Sequence, residues 1–178
     1  MSTTGTALTE LFIDRVDSPI GVLHLVSDGR RLCALDYHGY DDRLRRQLTL
    51  RYGPHRLREA VDSGGATTAM RRYLAGDLSA VDALEVDTGG TPFQRAVWAA
   101  LREIPCGTTA SYGELARRVG EPTAARAVGI TNSLNPVAIV VPCHRVIGAD
   151  DSLTGYGGGL YRKQWLLEHE GAQLPLFH

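Results

Sequence analysis

Leu11 and Ile13 mark a first β-rich run. Beyond the turn signal Asp17-Ser18-Pro19, Ile20, Val22, Leu23, Leu25 and Val26 form a second β-rich run. Asp28-Gly29 marks another turn, and Arg31 to Tyr37 reads as a third strand. These segments predict a meander of short antiparallel strands. The period then changes. Leu44 and Leu48 stand four apart within Asp41 to Arg51, which predicts a helix. Ala66 to Leu74 predicts a second helix, closed by Ala75-Gly76-Asp77. A short strand is expected over Val81 to Val86, and Thr88-Gly89-Gly90 reads as a linker.

The second half has a helical texture. Thr91-Pro92-Phe93-Gln94 is a capping box with Pro at the first helical position, so a helix is expected through Val97, Trp98 and Leu101 to about Glu103. Ser111-Tyr112-Gly113-Glu114 is a second capping box, opening a short helix that Gly120 stops. Pro122-Thr123 is expected to open the next helix, through Val128 and Asn132 to Ser133. Two short helices joined by a tight glycine turn make a helix-turn-helix pattern. Val137 to Val141 is an apolar, strand-like run leading into Pro142-Cys143-His144-Arg145. A glycine-rich loop, Gly155 to Gly159, precedes a last helix from about Tyr161 to Glu170. The division expected is 1–88 and 89–178.

Composition narrows the classes. With 178 residues, 43% of them hydrophobic, the chain can bury a sizeable core. A net charge of −1 excludes a partner held by bulk charge alone. The basic residues are 18 Arg and one Lys, Lys163. They are unevenly spread: residues 1–90 balance to −2, whereas Arg95 to Arg145 balances to +3. No apolar run spans a membrane, and Met1 to Thr9 reads as a polar tail without a signal-peptide core. Cys33, Cys106 and Cys143 are odd in number and widely spaced, which argues against a disulfide framework and for a reducing cytoplasm.

Cys143 beside His144 is the candidate chemistry. A thiolate is a strong nucleophile, and a neighbouring imidazole activates it. Taken alone the pair is weak evidence, since Cys is often a small core residue and neighbours on a strand face opposite ways. Pro142 and Arg145 are odd flanks for a plain core strand, however, and the helix-turn-helix lies just upstream. A nucleophile there stands beside a nucleic-acid surface.

The string from Asn135 through Pro142-Cys143-His144-Arg145-Val146 resembles the active-site signature of the methylated-DNA–protein-cysteine methyltransferases, the O6-alkylguanine-DNA alkyltransferases. The resemblance extends to Thr91–Trp98, Ser111–Ala116, Ala124–Gly129, Gly155–Gly159 and Trp165–Glu170, and so covers roughly residues 88 to 171. Asp17 to Gly21 resembles that family's first hairpin. The resemblance implies direct reversal of DNA damage. Cys143 takes the alkyl group from O6-alkylguanine, and O4-alkylthymine as well, in a single irreversible turnover after base flipping. His144 is implied as the base acting through a water, Glu170 as its orienter, and Tyr112 as hydrogen-bond donor to the leaving guanine. Asn135 is implied to pin the turn before the active-site run. Pro142, Val146, Tyr156, Gly157, Gly158 and Gly159 are the implied pocket. Gly157 stands where many members carry Ser, which removes one side-chain contact to the guanine and widens the pocket.

The helix from Thr123 carries Ala125, Ala127 and Gly129, a slim face suited to a minor groove roughly 6 Å wide. Arg126, among them, is implied to fill the gap left by the flipped base. The expected partner is therefore double-stranded DNA containing O6-alkylguanine, with the protein a monomer that can assemble cooperatively along it. No cofactor is expected. Cys33, His24, His38 and His55 offer no pair of cysteines, so no metal is expected either. Three other readings compete. A non-catalytic lesion binder of this fold typically replaces the nucleophile with Trp, and Cys143 argues against it. A Cys-His-Glu hydrolase leaves the slim helix unexplained. A regulator needs further domains. The fold class expected is α+β: a ribonuclease-H-like antiparallel sheet with helices, then a helical, winged-helix-like unit.

Overall fold

The computed structural model describes residue 5 and residues 7–174. Most of the Met1–Thr9 tail and the Pro175–His178 end of the C-terminal tail lie outside the described residues.

Three strands form where the β-rich runs predict them: β1 (Thr9–Val16), β2 (Leu23–Ser27) and β3 (Leu32–Tyr37). β1 pairs antiparallel with β2, in register Ile13 to Val26, and β2 pairs antiparallel with β3, Leu25 to Leu35. A fourth strand corrects the antiparallel expectation. β4 (His55–Glu59) runs parallel to β1, giving the order β3-β2-β1-β4 and a mixed sheet. α1 (Asp41–Tyr52) supplies the crossover that parallel pairing needs. The strand expected over Val81–Val86 does not form. That segment is a series of turns, with one parallel bridge between Val86 and Leu32.

The strand period of two separates two apolar layers. Leu11, Ile13, Val26 and Ala34 face Leu44 and Leu48 of α1. Val16, Leu23, Leu25, Leu35 and Tyr37 face the other way, into the main core. That core is shared by both halves of the chain, because Met70 and Tyr73 of α2 (Ala66–Leu74) and Val97, Trp98 and Leu101 of α3 (Pro92–Arg102) join it.

Both capping boxes form. Gln94 N–H donates to Thr91 Oγ1 and Thr91 N–H to Gln94 Oε1, at 3.2 and 3.0 Å, opening α3. Ser111 and Glu114 do the same at 3.1 and 3.0 Å, opening α4 (Tyr112–Arg118). α5 (Ala125–Ser133) starts later than expected, because Pro122 and Thr123 lie in the turn before it. Trp98 Nε1 donates to Thr131 O at 3.1 Å and fixes α3 against α5. A two-residue parallel pair, β5 (Ala110–Ser111) and β6 (Val146–Ile147), and α6 (Leu160–His169) complete the half.

The expected strand at Val137–Val141 is instead a tight, buried turn. Only Val137 bridges to the sheet, parallel to Leu35. Val140 N–H closes on Ala138 O across Ile139, which sits at φ 72°. For a β-branched residue this is a strained conformation, of the kind concentrated at functional sites. Cys143 N–H closes on Val141 O across Pro142 (φ −84°, ψ 65°), an inverse γ-turn. Two successive tight turns thus deliver Cys143 into a short 3₁₀ turn, Cys143–Arg145, rather than onto a strand.

Candidate active site

The 3₁₀ turn decides which way Cys143, His144 and Arg145 point, and all three are buried. His144 Nε2 lies 2.6 Å from Glu170 Oε1, at the C-cap of α6. Arg145 grips the same carboxylate with two bonds, Nε to Oε1 at 3.0 Å and Nη2 to Oε2 at 2.7 Å, and spends Nη1 on Ile104 O at 2.8 Å. Tyr73 Oη donates to Glu170 Oε2 at 3.2 Å, and Cys106 Sγ sits 3.4 Å from it. Glu170 at a helix C-terminus opposes the helix dipole, and these partners offset that conflict.

The charges fix a tautomer. Burial alone would raise the Glu170 pKa, but the hydrogen bond from His144 and the bonds and charge of Arg145 hold the carboxyl far below the usual range. An ionised carboxylate only accepts, so His144 Nε2 carries the proton. Burial pushes the His144 pKa down despite Glu170, which keeps the ring neutral. Nδ1 is then an acceptor, and among the described residues it has no hydrogen-bond partner. Burial also pushes the Cys143 thiol up, with Asn135 and Lys163 pulling the other way. At rest Cys143 is a thiol, and to act as a nucleophile it would need a base.

Cys143 lies in a cleft of about 320 Å³ between the two halves. Tyr112, the first residue of α4, lines it, as do Gly129, Asn135, Tyr156, Gly157 and Gly158. Asn135 pins the turn: Nδ2 donates to Val141 O at 2.7 Å, and Oδ1 accepts from Val137 N–H at 3.0 Å. Pro142, Val146 and Gly159, expected in the pocket, do not line it. Pro142 faces a separate cavity behind the turn, Val146 is fully buried in its pairing with Ala110, and Gly159 caps α6. Arg126, Ala127 and Thr123 are exposed, and Ala125 is half-buried, at the start of α5. Ile130 and Leu134 beside them are 55% and 48% exposed, unusual for their size.

Several contributors escape a sequence reading. Asn132 Nδ2 donates to Cys143 O at 3.3 Å. Lys163 Nζ is buried and holds the loop through Thr154 O and Gly155 O, at 2.7 and 3.3 Å; burial brings its pKa to about 8. The first half builds one wall of the cleft. Tyr37 and Tyr156 share a hydroxyl bond of 2.6 Å. Arg43, doubly bonded to Asp36 at 2.8 and 2.6 Å, donates to Gly157 O at 2.9 Å. The lone Lys in an arginine-rich chain was the one available hint, at Lys163.

Comparison with known proteins points to one family. Residues 92–172 match the family described as 6-O-methylguanine DNA methyltransferase, DNA binding domain. The methylated-DNA–protein-cysteine methyltransferase of Salmonella typhimurium is 49% identical over 92% of this chain and 98% of its own length. That of Mycobacterium tuberculosis strain H37Rv is 48% identical over 90% and 92%. The crystal structure of Mycobacterium tuberculosis OGT in complex with DNA superposes with TM-score 0.75 at 42% identity, over 91% of this chain and 92% of that one. The O6-methylguanine-DNA methyltransferase of Pyrococcus kodakaraensis superposes with TM-score 0.73 at 27% identity, over 91% and 99%. With Cys143 lining the cleft and the adjacent His144 held by Glu170, and with relatives this similar along nearly their whole length, the chain belongs to the methylated-DNA–protein-cysteine methyltransferase family.

Proposed function

We propose that the protein repairs DNA by moving an alkyl group from O6 of guanine, and from O4 of thymine, to Cys143. The observation that carries this reading is the buried Cys143 beside a neutral His144 whose Nε2 is committed to Glu170. His144 Nδ1 takes the Cys143 proton through a bridging water. The S–C bond forms as the C–O6 bond breaks, and Tyr112 donates to the guanine as charge grows on it. The thioether cannot be hydrolysed, so each molecule acts once.

The target base must leave the duplex to reach the cleft. α5 enters the minor groove with its small residues Ala125, Ala127 and Gly129. Arg126 fills the vacated stack, flanked by Thr123, and the exposed Ile130 and Leu134 suit an apolar wedge. Residues 1–88, ribonuclease-H-like in this reading, support the winged-helix-like unit 89–178. The protein works as a cytoplasmic monomer that can line up along DNA. No helix among the described residues is long and apolar enough to cross a membrane.

The test is intact and peptide mass after mixing with a duplex bearing O6-methylguanine. One methyl per protein on the Cys143 peptide, absent in Cys143→Ala, is expected. Binding without transfer overturns the proposal in favour of a lesion-binding module. Arg126→Ala should slow transfer from duplex but not from the free alkylated base.

A further inference from the structure

His24, His38 and Asp41 do not line the Cys143 cleft, and the fold gathers them at one point. His24 lies on β2, His38 just past the end of β3, and Asp41 is the first residue of α1. One ligand atom from each falls within 4.8 Å of the other two. His24 Nδ1 is 3.2 Å from Asp41 Oδ1, and the two imidazoles meet edge to face with centroids 5.4 Å apart. The His24 side chain is only 7% exposed, and its Nε2 has no hydrogen-bond partner. Nδ1, the nitrogen that meets Asp41, is the donor that His24 offers.

We propose that His24, His38 and Asp41 form a binding site for a borderline divalent cation, zinc above all. Two imidazoles and one carboxylate, with a water in the fourth position, are a zinc donor set. Donor atoms around a tetrahedral zinc stand about 3.3 Å apart. His24 and Asp41 already meet that spacing, and the exposed His38 closes the rest by a side-chain rotation. Arg15 and Arg45 line the cleft beside His24 and Asp41, and Arg15 is paired with Glu59 at 2.9 Å. Asp36 is taken up by Arg43. Such surroundings disfavour hard ions held by charge alone, so magnesium and calcium should not compete. The ion would tie the β3–α1 turn and the start of α1 to the sheet. α1 also carries Arg43, which holds Gly157 O in the cleft wall.

The test is calorimetric titration of the tag-free, chelator-treated full chain with zinc alone, and with magnesium alone. It is repeated on His38→Ala, whose side chain is exposed, and on Asp41→Asn. One equivalent of zinc is expected, weakened at least about tenfold in each variant, with no magnesium binding. Cobalt substitution should give a tetrahedral spectrum without thiolate charge-transfer bands. Both variants should keep full alkyl transfer to Cys143. Equal zinc affinity in wild type and variants, no zinc binding at all, or a thiolate signature pointing to Cys143 or Cys106, overturns the site.

Discussion

Replacing Arg145 with Met removes the cation from a carboxylate that has no water to turn to. The Arg145 and Glu170 side chains are 6% and 0% exposed. The variant loses both charge-assisted bonds to Glu170 and leaves Ile104 O without its donor. At a separation near 3 Å and an effective dielectric of about 20, the lost attraction is about 5 kcal/mol before desolvation is counted. Burying the pair offsets much of that, but deleting one partner strands the other. The expected loss is about 3–5 kcal/mol, a large share of a domain's total of about 5–15 kcal/mol. Urea unfolding at pH 7 measures it. The double variant Arg145→Met with Glu170→Gln has no stranded charge, so it should recover at least about 1 kcal/mol of the summed single losses. Arg145 also presses the His144 pKa down. In Arg145→Met the acid limb of the single-turnover rate profile should therefore move to higher pH. A single-variant loss below about 1 kcal/mol, or purely additive losses, refutes the reasoning.

The His144 pKa is depressed on folding, so folding favours its neutral form. Its stabilising contribution is complete above about pH 6.5 and is lost as pH falls toward the folded value; the Glu170 contribution is lost below about pH 4.5 in the same direction. Urea midpoints should fall steadily from pH 7.5 to 4, and His144→Gln should flatten the upper part of that decline. Asn135→Ala deletes the bonds to Val141 O and from Val137 N–H, and should cost about 2 kcal/mol in unfolding experiments while slowing transfer. Gly158→Ala places a Cβ 2.5 Å from the Tyr37 ring and should abolish transfer by deforming the cleft wall. In Gly157→Ser the new Cβ meets only the end of the Arg43 side chain at 3.1 Å, so transfer should persist, as single-turnover assays on both variants will check.

Local signals were the legible ones. The capping boxes of Thr91 and Ser111 fixed two helix starts, because a cap is a contact within four residues. Leu44 and Leu48 marked the buried side of α1 for the same reason. β4 was not legible: His-Arg-Leu-Arg-Glu is polar, and only its pairing with β1 makes it a strand. Val81–Val86 failed in the opposite sense: its two valines suggested a strand, but only its end reaches β3, at Leu32. At the site, Cys143 and His144 were visible by adjacency and Glu170 by resemblance. Arg145 stood out only as an odd flank and Lys163 only as the lone Lys; their roles, and those of Asn132 and Arg43, were not legible, because each acts on a group brought near by tertiary packing. Pro142 and Val146, implied for the pocket by resemblance, stand outside the lining of the cleft, where two tight turns redirect the chain.

Leu35 donates to Pro136 O and accepts from Ala138 N–H, so β3 lends its outer edge to the turn that presents Cys143. A catalytic loop that borrows its backbone partners from a distant strand is not a transferable cassette. Residues 92–172 grafted onto another host would arrive without that template. A chimera spliced at Gly89-Gly90 between two relatives would have to match at Leu35, Tyr37 and Arg43 to work. The two halves are therefore expected to change together, as lock and frame, rather than to be shuffled as independent modules.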